Sequence, residues 1–231
     1  TVTVTDANGC ADSDNATVTQ NDPVPPTITC PPTANISTDP DICTSSADIG
    51  TPFTSDNCGV ASTVVDNSGP YPVGTTTVTW TVTDVNGNTA TCSQDVVVTD
   101  DEAPSITCPP TANITTDAGL CSSSATIGVP STNDNCGVAS TVVDNPGPYS
   151  TGTTTVTWTV TDVNGNTSTC TQDVIVFDNE DPVILGCPDD ISVTPPSSDC
   201  SPVVEWIIPT TTDNCGATIT GTHSSGDSFP V

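Results

Sequence analysis

The chain has 231 residues, 28 of them acidic and none Lys or Arg, for a formal charge of -28. Such a chain repels nucleic-acid phosphates and anionic membrane surfaces, and no carboxylate can find a basic side-chain partner, so neutralising cations must come from outside, divalent ions first. Thr, Val and Pro recur while aromatics make up 3%, which favours strands and turns and predicts an all-β protein of two or three small domains.

No run of about 18 apolar residues exists, so no helix spans a bilayer. The lack of a signal peptide suits a processed or partial piece of a longer extracellular product. Twelve Cys and a single His argue for disulfides in an oxidising compartment rather than for zinc.

The opening "TVTVTDANGC", Thr1 to Cys10, copies part of a hairpin that recurs at Thr77 to Cys92 and Thr155 to Cys170. Short strands are expected next at "TITC", "ANIST", "SSADIG" and "VASTVVD". In "TVTWTVTD", Val78, Trp80 and Val82 fall on one face and Thr on the other, the alternation of a half-buried strand. "VNGN" then turns the chain into a partner strand, "TATCSQDVVVTD". Trp80, Trp158 and Trp206 read as core anchors.

Cysteines give the period. Cys30, Cys43, Cys58 and Cys92 recur 78 residues later as Cys108, Cys121, Cys136 and Cys170. Cys187, Cys200 and Cys215 start a third set, shifted by 79, and Cys10 is left over. The predicted organisation is a donor hairpin over 1–22, repeats over 23–100 and 101–178, and an incomplete repeat over 179–231. About seven short strands per repeat fit tandem Ig-like β-sandwiches.

The motifs "CP", "DNCG", "YPVGTTTVTWTVTDVNGN" and "DDEAPSITCP", with "CSPVVEWIIPTTTDNCG" in the third unit, together resemble the hyalin repeat, an Ig-like module of extracellular proteins. The resemblance covers almost the whole chain. It implies adhesion or scaffolding at a cell surface, with a carbohydrate or host surface as a target, and no catalysis.

In tandem sandwiches the linker lies beside two loops of the following domain, and here all three are rich in the oxygen ligands calcium takes. The expected clusters are Asp22 with Asp56, Asn57, Asp84, Asn86 and Asn88; Asp100, Asp101 and Glu102 with Asp134, Asn135, Asp162, Asn164 and Asn166; and Asp178, Asn179, Glu180 and Asp181 with Asp213 and Asn214. The arrangement resembles the inter-domain calcium sites of cadherins. The bland alternative is that Asp and Asn cap their own turns.

Four Cys allow three pairings. The levels expected on the sandwich favour Cys30 with Cys58 and Cys43 with Cys92, then Cys108 with Cys136 and Cys121 with Cys170. Asn15, Asn35, Asn113 and Asn166 begin glycosylation sequons, Asn166 competing with the calcium loop. An enzyme is not expected: His223 is the one His, in a terminal loop, with no paired nucleophile or oxyanion clamp.

The third cluster lacks a hairpin turn, and the only spare one is at the N-terminus, with Asp6 and Asn8. The expectation is therefore a filament of identical subunits joined head to tail by β-strand addition. Val2 and Val4 would fill the slots of Trp80 and Val82 in a neighbour, Asp6 and Asn8 would complete its calcium cluster, and Cys10 would supply its fourth cysteine. The alternative is a stretch of a long calcium-binding hyalin-repeat adhesin with a continuous chain.

Overall fold

A computed structural model describes residues 1–15, 21–194 and 201–229. The chain forms two compact units, Thr1–Glu102 and Ala103–Val231. The first begins with a hairpin of β1 (Val2–Thr5) and β2 (Ala11–Asp14). It continues through β3 (Thr27–Thr29), β4 (Ala34–Ser37), β5 (Thr44–Ser45), β6 (Phe53–Ser55), β7 (Val60–Val65), β8 (Tyr71–Pro72), β9 (Gly74–Asp84) and β10 (Thr89–Thr99). The second holds β11 (Ser105–Thr107), β12 (Ala112–Thr115), β13 (Ser122–Ser123), β14 (Ser131–Asn133), β15 (Val138–Val143), β16 (Tyr149–Ser150), β17 (Gly152–Asp162), β18 (Thr167–Phe177), β19 (Val183–Leu185) and β20 (Thr210–Thr212). There is no helix among the described residues.

The alternating Val/Thr run becomes β9, inside a four-stranded sheet ordered β4-β10-β9-β7. β4 joins β10 in parallel, and the other pairings are antiparallel. Two short pairs, β3 with β6 and β5 with β8, supply the opposing layer. Between the layers lie Tyr71, Val78, Trp80, Val96 and Val98, with Ile28, Ile36, Ile49 and Val65 packed against them. Each such buried side chain contributes about 1.5–3 kcal/mol. The second unit repeats the sheet as β12-β18-β17-β15 and the core as Tyr149, Val156, Trp158, Val174 and Val176. These are all-β Ig-like sandwiches.

Gln94 occupies a core slot in phase with Val96 and Val98. It accepts a hydrogen bond from Trp80 Nε1 at 2.9 Å and donates through Nε2 to the carbonyls of Pro32 and Ile49. Gln172 makes the same three contacts with Trp158, Pro110 and Ile127. One buried amide thus ties the inner sheet to two loops of the other layer.

Several expectations need correction. Of "SSADIG" only Ser45 is in a strand, and β6 and β8 are additional short strands. Trp206 lies at the repeat position of Ile127, 79 residues earlier, rather than that of Trp158. It is half-buried and packs against Phe229, ring centroids 6.2 Å apart.

The cysteine pairing also differs. Cys30 bonds Cys92 and Cys108 bonds Cys170, each with Cα atoms 5.8 Å apart. In the β3–β6 register Thr27 faces Ser55 and Thr29 faces Phe53, so Cys30 and Cys58 lie past opposite ends of the pair. The β11–β14 register separates Cys108 from Cys136 in the same way. Cys121 bonds Cys215 of the third repeat instead of Cys170. Cys200 falls outside the described residues.

Candidate metal centre

In the first unit three elements converge. Asp22 precedes β3, Asp56 and Asn57 form the bend after β6, and Asp84 ends β9. One carboxylate oxygen from each of Asp22, Asp56 and Asp84 lies within 4.8 Å of the others. Asp22 is 6% exposed and Asp84 2%.

Each carboxylate is held by its own turn. Asp84 Oδ1 accepts the N–H groups of Asn86 and Asn88, and its Oδ2 accepts Asn88 Nδ2 at 2.7 Å. Gly87, at φ +94, supplies the left-handed step this turn needs. Asn88 Nδ2 also donates to the Asp22 carbonyl at 2.8 Å, latching the linker onto the hairpin turn. Asp22 Oδ1 accepts Val24 N–H, and Oδ2 accepts Asn57 Nδ2 at 3.1 Å. Asp56 Oδ2 accepts the N–H groups of Cys58 and Gly59, while Asp56 Oδ1 is buried with no hydrogen-bond partner.

The Val24 N–H and the Cys58 thiol hold the Asp22 carboxyl below its ordinary pKa, against the opposing push of burial, with a smaller contribution from Asn57. Burial pushes Asp84 upward, but the Asn88 side chain and the N–H groups of Asn88, Asn86 and Gly87 outweigh it and leave the net shift downward. Asp162 behaves likewise in its own turn, with Asn166, Gly165 and Asn164 as donors. These acids are thus preset as anions, and hard oxygen donors of this kind suit calcium.

The second unit repeats the parts. Asp134 Oδ2 accepts the N–H groups of Cys136 and Gly137, and Asp134 Oδ1 is buried and partnerless. Asn164 and Asn166 donate backbone N–H groups to Asp162 Oδ1. Asn135 is half-buried beside Asp134 in the bend. Of the expected linker ligands, Asp100 Oδ1 accepts Glu102 N–H at 3.2 Å. Asp101 is taken up by Ser37 Oγ at 2.7 Å and Glu102 by the Asp41 N–H at 3.0 Å.

At the third repeat, within the second unit, Asp178 Oδ1 accepts Glu180 N–H, and Thr116 Oγ1 lies near both Asp178 and Asn179. Glu180 accepts Gly119 N–H at 2.6 Å, and Asp181 is exposed. Asp213 Oδ2 accepts Cys215 N–H, whereas Asp213 Oδ1 and Asn214 Oδ1 are buried and partnerless. Among the described residues Asp178 and Asp213 belong to no three-carboxylate group.

The N-terminal hairpin reproduces the Asp84 turn. Asp6 Oδ1 accepts the N–H groups of Asn8 and Cys10, and Gly9 takes a φ of +85. Cys10 therefore stands where Asn88 stands, and the β1–β2 register puts Asp14 opposite Val2 just as Cys92 faces Trp80. Cys10 does not occupy the fourth-cysteine position; it is an exposed free thiol, as is Cys187. Asn15, Asn35 and Asn113 are exposed. Asn166 spends its amide on Asp162 Oδ2 at 2.8 Å. His223 lies exposed beside Thr222 and Phe229.

The HYR domain family matches residues 21–98 and 99–176, and the chain belongs to that family of non-enzymatic repeat modules. It is 35% identical to a hyalin of Lytechinus variegatus, covering 93% of this chain and 43% of that one, and 32% identical to a hyalin of Strongylocentrotus purpuratus, covering 93% and 19%. A Mus musculus protein with sushi, von Willebrand factor type A, EGF and pentraxin domains is 37% identical over 59% of this chain and 4% of its own length. The chain thus spans less than half the length of these relatives. Among solved structures, Drosophila N-cadherin EC1-4 aligns with a TM-score of 0.39 at 13% identity, covering 67% of this chain and 50% of that one. The Clostridium thermocellum CbhA fibronectin(III)-like modules align at 0.25 and 14%, covering 66% and 94%.

Proposed function

We propose that this chain is a calcium-stiffened structural and adhesive stretch of an extracellular protein. One recurring atom carries the reading. In each repeat the Asp of the Asp-Asn-Cys bend spends Oδ2 on its own turn and leaves Oδ1 buried without a partner, at Asp56, Asp134 and Asp213. A buried carboxylate oxygen without a donor is costly, and a chain without Lys or Arg cannot supply a side-chain cation to it. In the first unit Asp22 and Asp84 bring two more carboxylates to the same point. Asp100, Asp134 and Asp162 follow them by 78 residues in sequence. Disulfides suit the extracellular setting, and family membership suits adhesion, with a carbohydrate or host surface as the target. Scanning calorimetry of chelator-stripped protein tests the reading: calcium is expected to raise the melting temperature and magnesium to do so less, and no calcium-dependent rise would end it.

A finer reading concerns assembly of identical subunits head to tail, through donation of the β1–β2 hairpin to the third repeat of a neighbour. Its support is the turn at Asp6, which copies that at Asp84, and the exposure of Val2 at 65% and Val4 at 69%, where the equivalent Trp80 and Val82 are buried. Against it, Asp12 and Asp14 lie directly across from Val4 and Val2 and so share their face. That polarity favours the alternative of a continuous hyalin-repeat adhesin. Sedimentation velocity over a range of concentrations separates them, because donation requires calcium-dependent oligomers and the alternative a monomer.

A further inference from the structure

The four-stranded sheet of each sandwich ends, on one side, in a strand of the same sequence, "VASTVV": β7 in the first unit and β15 in the second. Among the described residues β7 pairs only with β9, and β15 only with β17. Asp66 N–H donates to the Thr79 carbonyl in register with the β7–β9 pairing. Backbone groups alternate sides along an antiparallel strand, so Val64 also bonds toward β9, while Thr63 and Val65 turn their N–H and C=O groups outward. The Asp144 N–H to Thr157 carbonyl bond sets the same phase in β15, with Thr141 and Val143 outward.

A sheet edge is usually blunted by charge, by Pro or by shortness. The opposite edge of the first sheet shows two of these: β4 has four residues, with Pro31 and Pro32 before it and Pro40 after. β7 and β15 have six residues each and neither charge nor Pro, in a chain of formal charge -28. Their one irregularity is a register shift between Val60 and Ser62 and between Val138 and Ser140, which leaves Ser62–Val65 and Ser140–Val143 regular. Val64 and Val142 are each 55% exposed.

We propose that β7 and β15 are pairing edges for a second copy of this chain, joined antiparallel by β-strand addition. Outward residues exchange bonds only with outward residues, and a two-fold axis at Val64 satisfies this with the regular part of the strand alone. Thr63 then exchanges both backbone bonds with Val65 of the other copy. Val64 meets its own counterpart in the close, non-hydrogen-bonded pairing, and Ser62 faces Asp66, hydroxyl to carboxylate. No carboxylate opposes another, so the strip complements itself. One six-residue edge is small beside a stable interface, which favours a partner that carries the matching edge more than once. This chain does so, because β15 repeats β7 residue for residue and either edge can pair with either.

The test is sedimentation velocity and hydrogen exchange of the full chain, from micromolar to millimolar, in chelator and at about 0.15 M salt. Chelator separates this association from calcium-dependent hairpin donation. The sedimentation coefficient is expected to rise with concentration. The Thr63, Val65, Thr141 and Val143 amides are expected to gain protection with it, whereas those of Val64 and Val142 are protected throughout. Thr63→Pro with Thr141→Pro removes outward N–H groups and leaves the bonds to β9 and β17 in place. It deletes half of the bonds across each two-fold and is expected to weaken association by about tenfold. Val64→Lys with Val142→Lys sets like charges against each other at the axis and is expected to weaken it too, although it lowers the net negative charge that opposes non-specific association. A sedimentation coefficient independent of concentration, outward amides that exchange equally fast at every concentration, or tighter association of the Lys variant would overturn the proposal. The Lys variant keeps the test decisive if the Pro variant folds poorly.

Discussion

Asp84 keeps its charge although almost no water reaches it, because the N–H groups of one tight turn and the Asn88 amide all point at its two oxygens. Its folded pKa lies below the unfolded value, as do those of Asp22 and Asp162. A depressed carboxyl adds stability that is fully present above its unfolded value, about pH 4, and that is lost as pH falls through the folded one. The calcium-free protein is therefore expected to hold its melting temperature down to about pH 4 and to lose it below, with Asp84→Asn showing a shallower acid decline in the same calorimetric series. Asp56 allows a cleaner separation of turn from ligand. In Asp56→Asn the amide oxygen still caps Cys58 and Gly59, but an NH2 group replaces the partnerless oxygen. The expected outcome is near-normal stability in chelator and loss of the calcium response. For a site filled at about 100 times its dissociation constant that response is worth about 2.7 kcal/mol, or about 11–22 °C for a domain of this size.

The hairpin of β9 and β10 shows what alternation reveals in an element and what it conceals. Val78, Trp80 and Val82 were legible as a buried face, since successive side chains of a strand point to opposite sides. Gln94 was not, because a polar residue in a core slot reads as a break in the pattern until three partners are seen around it. Its phase with Cys92, Val96 and Val98 was the available signal. Gln94→Leu leaves Trp80 Nε1 and the carbonyls of Pro32 and Ile49 unpaired, and is expected to cost about 3 kcal/mol, read as a lower urea midpoint. In the β1–β2 hairpin the same alternation showed Val2 and Val4, while the cross-strand register that puts Asp12 and Asp14 on their face had to await the fold. If the hairpin is donated between chains, Asp12→Ala with Asp14→Cys, which restores the residues found at Ala90 and Cys92, should increase oligomer mass in sedimentation, and Val2→Asp with Val4→Asp should abolish it.

At the scale of the whole molecule the disulfides divide into two kinds. Cys30–Cys92 and Cys108–Cys170 close sandwiches, whereas Cys121–Cys215 joins one repeat to the next. Replacing Cys121 and Cys215 together by Ser is expected to destabilise the third repeat by about 2–4 kcal/mol while leaving the second repeat intact, which hydrogen exchange of β20 against β17 resolves. The 78-residue cysteine period, the alternating strands, the all-β class and the lack of any Lys or Arg follow from the sequence by itself, because side-chain direction and charge are properties of the local chain. Which residues meet was decided only by tertiary structure. Strand register sent Cys30 and Cys58 to opposite ends of one antiparallel pair, brought Asp101 beside Ser37 through the parallel β4–β10 pairing, left Glu102 on the Asp41 N–H, and brought Asp22, Asp56 and Asp84 to one point. Those meetings depend on distances set by packing across dozens of residues, and no short-range pattern encodes them.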